Sequence, residues 1–160
     1  MTHATTDIAD ALGQDAQVAA PIFRHFGGRT RFHGPIKTLK VFEDNTKVRE
    51  ILETPGEGRV LVVDGGASPR CALVGGNLGQ LAVDNGWAGI VVYGYVRDAV
   101  ELGAQAVGVM AMGTHPRKSV KRNSGEFDVD LSFADLRIGP GHWLYADEDG
   151  IVTTTQAYTG

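Results

Sequence analysis

The sequence predicts an α/β domain built on buried parallel strands, and three observations predict it. Val60-Leu61-Val62-Val63, Ile90-Val91-Val92-Tyr93 and Ala106-Val107-Gly108-Val109-Met110-Ala111 are short, continuous apolar runs. Runs of that length and β-branching suit strands covered on both faces. Between the first two, Leu78, Leu81 and Ala82 have helical spacing, and Asn85-Gly86 is a helix stop. Strand, helix and strand in that order make a βαβ unit with a right-handed crossover.

The remaining elements follow in chain order. Thr6 to Gly13 forms a short helix, capped by Thr6 or Asp7 and ended by Gly13. Phe26-Gly27-Gly28-Arg29 is a turn. Pro35 to Phe42 alternates like a strand. Glu43-Asp44-Asn45 caps a helix whose apolar face is Val48, Ile51 and Leu52, and Thr54-Pro55-Gly56 stops it. Cys71 to Val74 is a second short strand or a turn. Ala99 to Leu102 is a short helix. Thr114 to Gly125 is a basic loop with the composition of a mobile one. The tail is β-rich, at Phe127 to Leu131, Ile138, His142 to Ala146 and Ile151 to Thr155. Asp147-Glu148-Asp149-Gly150 is a hairpin turn rather than a calcium loop, because its acid spacing is too short. With 160 residues and neither linker nor repeat, one domain covering residues 1–160 is expected.

Composition narrows the function. A net charge of −4 with scattered basic residues argues against nucleic acid. The densest basic group, Arg117-Lys118 with Lys121-Arg122, reads as a solvated loop. Cys71 is the only cysteine, which excludes a disulfide framework and suits a small buried hydrophobe. The N-terminus lacks a signal-peptide pattern and no apolar run reaches membrane-spanning length. A reducing cytoplasm, without a membrane partner, is the expected setting. The histidines at 3, 25, 33, 115 and 142 lack paired ligand spacing, so zinc is not expected. Asp64-Gly65-Gly66 lacks the Gly-x-Gly-x-x-Gly pattern, which rejects a dinucleotide or methyl-donor site.

Two constellations carry chemistry. Gly75-Gly76-Asn77-Leu78 opens a helix, and glycines there let backbone N–H groups approach an anion. The same residues also fit a tight turn with Asn77 as N-cap. Arg97-Asp98 follows a buried strand, where open α/β sheets place their ligands. Arg is the fork for a carboxylate, and Asp is a hard-oxygen ligand suited to Mg²⁺ or Mn²⁺. A surface ion pair with Asp98 as helix N-cap is the competing reading.

The stretch from Gly75 through Asn85-Gly86-Trp87-Ala88-Gly89 to Gly94-Tyr95-Val96-Arg97-Asp98 resembles the RraA-like family. Phe26-Gly27-Gly28-Arg29, Phe42-Glu43-Asp44-Asn45, Val63-Asp64-Gly65-Gly66 and Tyr145 to Gly150 resemble it too. That family holds class II 4-hydroxy-4-methyl-2-oxoglutarate aldolases and the regulator of ribonuclease E activity. The resemblance implies a swivelling-domain-like α/β/β/α sandwich with mixed sheets, assembled as a ring-shaped homotrimer that can stack further. It implies substrate contacts from Gly75, Gly76, Asn77 and Leu78, a carboxylate held by Arg97, and a divalent cation (Mg²⁺ or Mn²⁺) on Asp98. Arg97 and Asp98 would then be the catalytic pair of a lyase that cleaves 4-hydroxy-4-methyl-2-oxoglutarate to pyruvate. The same site would decarboxylate oxaloacetate through the shared pyruvate enolate. A non-catalytic ring that binds ribonuclease E is the alternative. The chain departs from the family aldolases at one place: their acid twenty-one positions before Arg97 is Gly76 here.

Overall fold

The computed structural model describes residues 3–160. The chain runs through helix α1 (Thr5–Leu12), a 3-10 turn, and strands β1 (Gln17–Val18), β2 (Arg24–His25) and β3 (Phe32–Lys40). Helix α2 (Thr46–Leu52), strand β4 (Val60–Asp64), helix α3 (Gly76–Asp84) and strand β5 (Gly89–Val96) come next. Helix α4 (Ala99–Gly103) and strand β6 (Gly108–Thr114) follow. The tail holds β7 (Glu126–Phe127), β8 (Leu131–Phe133), β9 (Leu136–Ile138), β10 (Trp143–Asp147) and β11 (Gly150–Thr154).

Strands β3, β4, β5 and β6 pair in parallel in that order. Each of the three crossovers carries one helix, which is how parallel neighbours are joined. The full order is β1-β11-β10-β3-β4-β5-β6-β2, with β7 pairing the end of β3. The β3–β10, β10–β11 and β1–β11 pairs are antiparallel, so the sheet is mixed.

The apolar runs are explained by what covers them. Leu61 and Val63 of β4 face Val48, Leu52, Leu78 and Leu102 of the helices. Their alternates Val60 and Val62 face Leu131, Leu136, Ile138, Leu144 and Ile151 of the tail. With helices on one side and strands on the other, β4 has no solvent face, and all five of its residues are buried. α1 packs Ile8 on Tyr145 and Val152. The buried Asp147 carboxylate tethers it, accepting from Thr5 N at 2.8 Å and Thr5 Oγ1 at 2.7 Å.

The sequence boundaries shift modestly. The 35–42 strand begins earlier, at Phe32, and ends at Lys40. Cys71 to Val74 makes only single bridges, Ala72 with Lys118 and Val74 with Val96. The two-residue strands β1 and β2 carry no period long enough to be seen. The 147–150 hairpin turn is present, joining β10 to β11. Cys71 is buried, and that burial pushes its thiol up.

Candidate functional site

The carboxyl end of β5 places the site. Val96 is the last strand residue, and Arg97 N donates to Val74 O at 2.9 Å. That bond lays the 72–75 segment beside the strand end, so Gly75 meets Arg97 and Asp98. Asp98 takes the left-handed conformation (φ 60°, ψ 47°), which Asp tolerates better than most residues. Its side chain does not cap its own helix α4. It crosses to α3 instead, where Oδ2 accepts from Gly76 N at 2.9 Å. An acid at a helix N-terminus satisfies an orphan donor and complements the dipole.

Gly75 is required by this contact. A Cβ there would stand 2.7 Å from Asp98 Oδ2 and 3.3 Å from Arg97 Cγ. Gly75→Ala should therefore push both side chains off their positions. The expected outcome is at least a tenfold loss of ligand affinity with little change in melting temperature, checked by calorimetric titration beside a thermal melt.

Gly75, Asn77, Leu78, Arg97 and Asp98 line one cavity of about 100 Å³. Five of the six residues singled out in the sequence thus converge. Gly76 lies beside this wall, buried, with its amide given to Asp98. A side chain at 76 would collide with the Glu101 carboxylate, so an acid from α4 occupies the space beside Gly76. Asn77 is inside α3, and the N-cap position belongs to Gly75.

Six further lining residues were not legible as site residues, four of them polar: Asn45, Arg49, Lys118 and Lys121. The basic loop is not merely solvated. It folds over the cavity and gives it a wall. The lining then holds four cationic side chains, Arg49, Arg97, Lys118 and Lys121, against the single carboxylate of Asp98. Such a field favours a ligand with more than one negative charge. The only hint in the sequence was the density of Lys and Arg between 117 and 122.

Asp44 holds that wall in place. It is 1% exposed. Its Oδ1 accepts from Thr46 N at 2.9 Å and Thr46 Oγ1 at 2.6 Å, and its Oδ2 from Arg122 N at 2.8 Å and Ser124 N at 3.0 Å. Burial pushes the carboxyl up, but these hydrogen bonds outweigh it and hold the group at about 2 against an ordinary 3.8. A depressed carboxyl contributes stability above its ordinary value and loses it as pH falls toward the folded value. Asp44 should thus contribute on the order of 2 kcal/mol at neutral pH, lost between roughly pH 4 and 2. Thermal melts of wild type and Asp44→Asn across that range should converge at the acid end.

Among the described residues no group of three or more His, Cys, Asp or Glu converges on a metal position. His3 and His33 do come together, with ring centroids 4.0 Å apart and planes tilted by 32°, but neither lines this cavity. No helix among the described residues is long and apolar enough to cross a membrane.

Comparisons with known proteins bear on the family and the fold. The RraA-like family (Aldolase/RraA) matches residues 5–153. A protein of Alkalilimnicola ehrlichii is 59% identical over 152 residues, covering 95% of this chain and 94% of its own. One of Burkholderia multivorans is 58% identical over 164 residues, covering 99% and 100%. Both are provisionally named 4-hydroxy-4-methyl-2-oxoglutarate aldolase. The solved RNA-processing inhibitor RraA of Thermus thermophilis has a TM-score of 0.95 at 46% identity, covering 100% of this chain and 97% of its own. A Geobacillus kaustophilus structure named S-adenosylmethionine: 2-dimethylmenaquinone methyltransferase also has a TM-score of 0.95 at 46% identity, over 98% of this chain and 99% of its own. The same fold therefore travels under three functional labels. On the match across 5–153 and on relatives near 58% identity along nearly their whole length, this chain belongs to the RraA-like family, with its aldolase and RraA branches.

Proposed function

We propose that the protein is a divalent-metal-dependent lyase acting on a 2-oxo acid, with 4-hydroxy-4-methyl-2-oxoglutarate as substrate. The observation that carries this reading is the convergence of Arg97, Asp98 and the start of α3 on one cationic cavity. Arg97 binds the carboxylate beside the 2-oxo group as a planar fork. The amides of Asn77 and Leu78 have no partner within their own helix and point the same dipole end at the anion. Carbon–carbon cleavage moves an electron pair toward the 2-oxo oxygen, and decarboxylation of oxaloacetate does the same. One set of cationic groups can serve both reactions.

The donor set admits Mg²⁺ or Mn²⁺ sparingly. Asp98 offers Oδ1, because Oδ2 is held by Gly76, and Mg²⁺ accepts one protein carboxylate while keeping waters and substrate oxygens. Asp98 would hold the cation, which when bound supplies Lewis-acid polarisation of the 2-oxo carbonyl. The test is pyruvate release from 4-hydroxy-4-methyl-2-oxoglutarate and from oxaloacetate, with Mg²⁺ and with chelator. Metal-dependent release supports the lyase; none from either substrate removes it.

A second reading is a non-catalytic regulator of ribonuclease E activity. Gly76 in place of an acid favours it, as does the 46% identity to the RraA structure. Capture of purified ribonuclease E by a wild-type protein that releases no pyruvate would select it. For the assembly we propose a homotrimer. Light scattering should give three times the 17.0 kDa of one chain.

A further inference from the structure

Away from the Arg97 cavity, three polar side chains stand in one row across the parallel strands. In the register of β3, β4 and β5, Lys40 is opposite Asp64 and Asp64 is opposite Tyr93. Val62 and Val91, two residues earlier, face the tail strands, so the row lies on the face away from the helices. Lys40 and Asp64 are the last residues of their strands, and open α/β sheets place ligands outside such ends. With Phe42 and Glu126 the row lines a hollow of about 550 Å³, and none of these five residues lines the Arg97 cavity. Asp64 is only 8% exposed. Its Oδ1 accepts from Gly66 N at 2.9 Å, and among the described residues Oδ2 has no partner. Lys40 and Glu126 face each other across the β3–β7 pair, yet among the described residues neither is in an ion pair. The walls are aromatic. Tyr93 is fixed by stacking on Phe133, with centroids 4.6 Å apart, and Phe42 is 56% exposed. Arg70 lies over the Phe42 ring at 5.8 Å, but its charge is matched by Glu43.

We propose that this hollow is a second binding site, for a zwitterionic amino acid with an apolar or aromatic side chain. The ligand's ammonium donates to Asp64 Oδ2, its carboxylate accepts from Lys40 Nζ, and its side chain lies on Phe42. The argument is one of unmatched charge. A carboxylate as buried as Asp64 is costly without a cation or further donors to satisfy it. A ligand with a positive charge alone would bring that charge beside the Lys40 ammonium. One with a negative charge alone would meet Asp64 and Glu126. A molecule that carries both charges on one carbon matches an acid and a base set side by side on neighbouring strands. The backbone holds that spacing, because both residues sit in regular parallel pairing. The exposed Phe42 ring adds an apolar surface for whatever side chain the ligand carries.

The test titrates the full chain with three probes by calorimetry: L-phenylalanine, phenethylamine, which lacks the carboxylate, and 3-phenylpropionate, which lacks the amine. Wild type should bind phenylalanine about tenfold more tightly than either truncated probe, since each truncation removes one charge-assisted hydrogen bond. Asp64→Asn keeps an acceptor for Gly66 N and removes only the charge. It should weaken phenylalanine about tenfold and leave 3-phenylpropionate within twofold. Lys40→Met keeps the apolar stem, and should weaken phenylalanine by a similar factor while leaving phenethylamine within twofold. A thermal melt of each variant checks the fold, and the comparison of probes in wild type decides the matter should a variant not fold. Absence of phenylalanine binding at millimolar concentration overturns the proposal. So does phenethylamine binding as tightly as phenylalanine, which would make the hollow a site for a cation alone, or unchanged phenylalanine binding in both variants.

Discussion

Asp98→Ala should abolish metal-dependent pyruvate release, and Arg97→Ala should reduce it by roughly 2–4 kcal/mol of transition-state stabilisation if the guanidinium contact is desolvated. The Asp98 effect has two sources in the structure. Among the described residues the carboxylate is the only one lining the cavity, and it also fixes the first amide of α3. Alanine would further be forced into a left-handed conformation at φ 60°. Asp98→Asn separates these effects. Asparagine tolerates that conformation and can accept from Gly76 N, but it has no charge. If the charge is what matters, Asp98→Asn should be as inactive as Asp98→Ala while melting close to wild type. The measurement is a coupled pyruvate assay beside a thermal melt of each variant. Full activity in both Asp98→Ala and Arg97→Ala would contradict the site.

Gly27→Ala should be strongly destabilising. Gly27 lies against the backbone of the Val107–Val109 stretch, and its amide donates to Val109 O at 3.3 Å. A Cβ there would fall 2.6 Å from Val109 N and collide with Val107 O as well. Those atoms belong to a core strand and its lead-in, so no flexible side chain can yield. Forced overpacking of this kind costs on the order of 3 kcal/mol. For a chain this long that lowers the melting temperature by roughly 10 °C. Gly13→Ala is the useful control. A Cβ at 13 meets nothing within 4 Å, so only its positive φ of 52° opposes the change. A melt of Gly27→Ala no lower than that of Gly13→Ala would show that the β6 backbone can give way.

The β4, β5 and β6 strands were legible because burial on both faces leaves an unbroken apolar run. The α3 helix was legible because its one buried face repeats at 3.6 residues. The 114–125 segment shows the opposite case. Its composition is that of a mobile loop, yet it is anchored by backbone amides that bond to Asp44 and a serine that bonds to Asn45. Amides carry no sequence signature, and their partners lie more than seventy residues away. Asp44 and Asn45 were assigned to capping the next helix. Asp44 does bond Thr46 N, but both residues have a larger role in holding the cavity wall.

The sequence by itself determined the parallel βαβ core, the family, and the pairing of Arg97 with Asp98 beside a glycine-led helix, because each depends on neighbours along the chain or on a fixed period. Only the tertiary structure decided that Asp98 reaches across to Gly76 rather than capping its own helix. It alone decided that Glu101 fills the space above Gly76, and that two lysines from an irregular segment line the same cavity as Arg97 and Asp98. Those are contacts between segments that meet only when the sheet has brought their strand ends together, and electrostatics acts through space, whatever the distance along the chain.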